Sequence, residues 1–118
     1  MTKRPFLLVA ALGLSLLAAV PASAQTIWKK NHPRRAQVNG RLANQNKRID
    51  QGRGNGTLTK GQAQQLHKED HAIRQEERAD AAANGGHITK REQRQINHQE
   101  NQTSKQIFDE KHPAATAP

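Results

Sequence analysis

Apolar residues are sparse beyond residue 24, and where they occur they keep helical spacing. Val38, Leu42 and Ile49 lie four and seven residues apart, which places them on one stripe of an amphipathic helix. Pro33 suits the first turn of that helix, where its missing N–H costs nothing, and the glycines at 52, 54 and 56 favour a loop. The pattern predicts a first helix over about 33–52. Thr59-x-x-Gln62 is a capping box opening a second helix, in which Leu66 and Ile73 continue the stripe and a run of alanines at 79 and 81–83 keeps helix propensity high. Asn84-Gly85-Gly86 stops it, so the second helix is a rod of about 24 residues and roughly 36 Å. Thr89-x-x-Glu92 repeats the box, and a third helix carries Ile96, Thr103 and Ile107 to a stop before Pro113.

The two boxes belong to a longer repeat. Gly56-Thr57-Leu58-Thr59-Lys60 returns thirty residues later as Gly86-His87-Ile88-Thr89-Lys90, and residues 48–66 match 78–96 without a gap at six identical positions. One continuous helix fills the space between the two loops and places them at opposite ends. The expected fold is all-α, an up-down-up arrangement of three helices over 33–112 built from this repeat.

Charge refines the picture. Residues 25–60 carry nine basic side chains against one acid, Asp50, whereas 61–118 carry eight basic against nine acidic. On a helical wheel Glu69, Asp70, Glu76, Glu77 and Asp80 flank the Leu66/Ile73 stripe, and Arg34, Arg35 and Arg53 lie near the stripe of the first helix. Narrow apolar seams bordered by opposite charges resemble coiled-coil packing, in which the flanking residues choose the partner helix. Such exposed pairs are each worth under about 1 kcal/mol, so they direct pairing more than they stabilise.

The N-terminus reads as an export signal. Lys3 and Arg4 precede a nearly continuous apolar stretch from Phe6 to Val20, and Pro21 and Ala22-Ser23-Ala24 supply a small-residue cleavage site. Cleavage after Ala24 leaves residues 25–118, with no further segment apolar enough to span a membrane. The chain has no cysteine, hence neither disulfides nor a lipid-acceptor thiol. A bacterial periplasmic or secreted location is expected. Residues 25–32 form a flexible basic arm around Trp28, and 113–118 a disordered tail. With only twelve large apolar residues from Ile27 to Phe108, the fold is modestly stable and open to self-association.

Three chemistries are worth weighing. Setting Gly56 at the sixth position of an EF-hand loop puts Gln51, Arg53 and Asn55 at the ligand positions, and the second copy offers Ala81, Ala83 and Gly85, so calcium is excluded and no cofactor is expected. His67 and His71 lie at i and i+4 on one helical face, a spacing that can chelate zinc, nickel or copper, with His98 a possible further ligand. Lys29, Lys30, Arg34, Arg35 and Arg41 form a basic patch beside Trp28 that suits an anionic surface such as lipopolysaccharide, lipid or nucleic acid, or equally the acidic half of the same molecule. Catalysis finds no support: beyond residue 24 the only serine is Ser104, and no base is set beside it by spacing.

Three runs carry a family resemblance. They are Asn39-Gly40-Arg41-Leu42-Ala43-Asn44-Gln45-Asn46, Leu66-His67-Lys68-Glu69-Asp70-His71 with Ile73-Arg74-Gln75-Glu76-Glu77-Arg78, and Asn84-Gly85-Gly86-His87-Ile88-Thr89-Lys90. Over His32 to about His112 the chain resembles a family of small exported proteobacterial helical proteins without assigned activity, among them a seroreactive Burkholderia antigen. The resemblance implies a helical fold, export and antigenicity, and it supplies no catalytic or binding residues. The function expected is that of a non-enzymatic exported protein acting on a protein partner, with the anionic surface or the histidine pair as the alternative.

Overall fold

The computed structural model describes residues 22–113. Most of the expected signal segment (1–21) and the tail beyond Pro113 lie outside the described residues. The fold is all-α. The described residues form four helices where the apolar pattern predicted three: α1 (Ala22–Asn31), α2 (Pro33–Gly54), α3 (Lys60–Ala83) and α4 (Lys90–Lys111). The addition is α1, which turns the segment expected as an irregular arm into a helix and also takes in the expected cleavage site. His32 interrupts the helix between α1 and α2, ahead of Pro33, which has no N–H for a continuing ladder.

α2, α3 and α4 each pack against the other two, while α1 packs against α2 alone. Two apolar clusters fix the directions. Val38 and Leu42, early in α2, join Ile73 and Ala81 from late in α3 and Ile88 and Ile96 around the start of α4. Ile49, late in α2, joins Leu58, Ala63 and Leu66 around the start of α3 and Ile107 from late in α4. α3 therefore runs against α2 and α4, and the two connecting loops sit at opposite ends.

The buried positions follow a coiled-coil register. They are 38, 42, 45, 49 and 52 in α2, then 63, 66, 70, 73, 77 and 81 in α3, then 96, 100, 103 and 107 in α4. Steps of three and four alternate almost throughout, the rhythm that keeps one seam facing the partner helices. Between the apolar clusters the seam is polar, holding Gln45, Asp70, Glu100 and Thr103, and Glu77 is buried within the first cluster, between Ile73 and Ala81 along α3. Ile27 and Phe108, both counted among the twelve large apolar residues, are instead 59% and 49% exposed.

The two connecting loops use one device. Thr59 Oγ accepts from the Gln62 N–H while the Gln62 side chain accepts from the Thr59 N–H, and Thr89 and Glu92 do the same. Each box follows a buried apolar residue, Leu58 or Ile88, and a positive-φ glycine, Gly56 or Gly86. Leu58 also closes the end of α2, its N–H donating to the Gly52 carbonyl at 3.0 Å. A Cβ on Gly52 would stand 2.7 Å from Leu58 Cδ1, so this close approach requires glycine.

Candidate functional site

The arginines of α2 set the geometry of the bundle's interior. Arg34, Arg41 and Arg48 recur every seven residues, and all three reach α4 or the loop before it. Arg34 Nη1 donates to the Ile88 carbonyl at 3.3 Å, Arg41 Nη2 to Asn101 Oδ1, and Arg48 Nη1 to Ser104 Oγ at 2.7 Å. Arg35 turns the other way. Its Nε pairs with Glu77 of α3, its Nη1 donates to the Gly86 carbonyl at 3.2 Å, and its guanidinium lies 5.5 Å from the Trp28 ring centroid. Three members of the expected basic patch, Arg34, Arg35 and Arg41, are thus half-buried and engaged within the molecule. Lys29 and Lys30 on α1 remain exposed.

Trp28 anchors α1. Its ring stacks on His32 at 4.8 Å between centroids, and His32 stacks on His87 of the second loop at 4.6 Å. This column, with Arg35 at its side, joins α1 to the end of the bundle and leaves Ile27 facing outward.

The histidine pair is split by its surroundings. His67 bridges α3 to α2, with Nδ1 2.9 Å from Asn46 Oδ1 and Nε2 2.9 Å from Asp50 Oδ1, so both ring nitrogens are engaged. His71 is exposed, with Nε2 3.4 Å from Gln75 Nε2. The two line a shallow groove with Gln64 and Lys68, and His98 is exposed on α4. Among the described residues no group of three or more His, Cys, Asp or Glu side chains is placed to hold a metal.

The chemically unusual site was missed by the wheel, which placed Asp70 and Glu77 on the flanks. At mid-bundle Gln45 of α2, Asp70 of α3 and Glu100 of α4 are all buried, Asp70 at 2% exposure and Glu100 fully. Gln45 Nε2 donates to the Glu100 backbone carbonyl at 2.7 Å. Gln45 Oε1 and all four carboxyl oxygens of Asp70 and Glu100 accept no hydrogen bond among the described residues. Arg41 Nη1 approaches Glu100 Oε1 to 3.5 Å without hydrogen-bond geometry. Burial raises both acids, Asp70 to about 6 against the pull of His67, and Glu100 to about 7 against the pull of Arg41, with the charge of Asp70 raising Glu100 further. The register held the signal: Leu66, Asp70, Ile73 and Glu77 step by four, three and four, a run that sets acids among core positions.

Glu77, one helical repeat from Asp70, shows the opposite solution. It is as deeply buried, but Arg35 takes both of its oxygens, Nη2 donating to Oε2 at 3.5 Å. Comparison with known proteins finds no family model, no curated protein and no solved structure that matches this chain.

Proposed function

We propose that the chain is an exported, non-enzymatic helical protein that acts by binding a protein partner, with α1 as the contacting element. Its scaffold is read as a three-helix up-down-up bundle derived from a 30-residue duplication, delivered by a signal peptide cleaved after Ala24 to the periplasm or beyond. The observation that carries the reading is α1 itself. It packs on α2 alone, through Trp28, and presents Ile27 to solvent at 59% exposure beside Lys29 and Lys30. An exposed large apolar residue flanked by charged side chains is the kind of anchor that a protein interface buries.

Capture of partners from the exported fraction by the wild type and by Ile27→Ser tests this. A partner retained by the wild type and lost with Ile27→Ser supports the reading. A partner set unaffected by the substitution removes α1 from it. The second reading, adhesion to an anionic surface, is favoured by the exposure of Lys29 and Lys30. It predicts retention on lipopolysaccharide or heparin that collapses as salt rises.

A further inference from the structure

Each long helix contributes one polar side chain to the buried mid-bundle layer: Gln45, Asp70 and Glu100. The two acids occupy equivalent positions thirty residues apart, the period of the loops. The layer has acceptors in excess, since five side-chain oxygens lack a donor and the one well-placed donor, Gln45 Nε2, is taken by a backbone carbonyl. A buried carboxylate without donors is costly, whereas a protonated carboxyl carries an O–H that can donate to a neighbouring oxygen. Protons are the donors that this layer lacks.

We propose that the Gln45–Asp70–Glu100 layer is a proton-operated clasp, which draws α2, α3 and α4 together when both carboxyls are protonated and loosens mid-bundle when they ionise. The charges around it favour this over permanent pairing. Asp70 is faced by His67, Glu69 and Arg74 of its own helix, by Arg48 of α2 and by Glu100 of α4, while Glu100 is faced by Arg41 of α2 and Asp70 of α3. Arg48 already donates to Ser104, and Arg41 donates through Nη2 to Asn101 while its Nη1 stands 3.5 Å from Glu100 Oε1 without hydrogen-bond geometry, so the layer has at most one partial counter-ion. One helical turn on, Ile73 and Thr103 line an open groove of about 320 Å³ between α3 and α4.

Both acids titrate above their ordinary range, so the clasp is fully closed below the ordinary carboxylate values. It weakens as pH rises through about 6 for Asp70 and about 7 for Glu100.

Urea unfolding of the full chain at fixed ionic strength, followed by helical circular dichroism, tests the proposal. Between about pH 8 and about pH 5 the unfolding constant is expected to fall roughly a hundred- to a thousandfold. Asp70→Asn and Glu100→Gln should each remove part of that dependence, and the double variant most of it. A wild-type midpoint that is flat or falls towards acid overturns the proposal. So does a rise that survives undiminished in the double variant, because the layer would then not be its source. If the double variant does not fold, carbon-detected NMR titration of the wild-type carboxyls decides: midpoints above the ordinary range support the clasp, and ordinary midpoints overturn it.

Discussion

Among the described residues Arg35 and Glu77 form the one ion pair whose carboxylate is both buried and held on two oxygens by the same guanidinium. The pair ties the start of α2 to the last part of α3, and the same arginine holds the Gly86 carbonyl and covers Trp28. Removing one partner strands the other. Arg35→Met is expected to cost about 3–5 kcal/mol in urea unfolding, because Glu77 loses its counter-ion in a buried position. Arg35→Met combined with Glu77→Met should recover much of that loss, since two apolar residues leave no charge to compensate.

Two of the glycines in α2, Gly52 and Gly40, differ in whether glycine is needed. Gly52→Ala would drive its Cβ into Leu58 and into Lys111 Cε at 2.8 Å, and should destabilise by about 1–3 kcal/mol. Gly40 is exposed in the middle of α2, and a Cβ there meets nothing within 4 Å. Gly40→Ala should stabilise by about 0.5–1 kcal/mol through helix propensity. Thermal unfolding of the two variants should therefore shift in opposite directions.

The two capping boxes should respond alike. Thr59→Ala and Thr89→Ala each remove the acceptor for an otherwise unpaired helix N–H and are expected to cost about 1 kcal/mol. Amide exchange should quicken at Gln62 in the first variant and at Glu92 in the second, with the opposite end of the bundle unaffected.

Basic residues should separate by role. Arg34→Gln and Arg41→Gln remove contacts to Ile88 and Asn101 and should lower the urea midpoint. Lys29→Gln and Lys30→Gln should leave the midpoint unchanged, because both side chains are exposed. On an anionic column the order reverses: the lysine variants elute earlier, and the arginine variants change little as long as they stay folded.

What was legible in the sequence was local or periodic. The stripe from Val38 to Ile49, the capping boxes at Thr59 and Thr89, and the glycine stops all depend on residues within a few positions of one another. α1 was not legible as a helix, because its anchor is tertiary: Trp28 is held by His32, His87 and Arg35. His67 looked like half of a chelating pair, and only the register of α3 against α2 shows it between Asn46 and Asp50. The acids of the seam were hidden by chemistry. Asp70, Glu77 and Glu100 are residue types that ordinarily face water, and a wheel centred on Leu66 and Ile73 sets Asp70 and Glu77 at the margin. The three-four alternation outweighs that preference, and burial then depends on what each acid meets, an arginine for Glu77 and hardly any donor for Asp70 and Glu100.

Site-specific photocross-linking tests the functional account most directly. A photoreactive amino acid replaces Ile27 on α1 in cells that export the protein, and Gln64, exposed on α3, serves as the reference position. The account predicts a discrete protein adduct at position 27 that is absent at position 64. No adduct at 27, or the same adducts at both positions, would contradict the assignment of α1 as the contacting element.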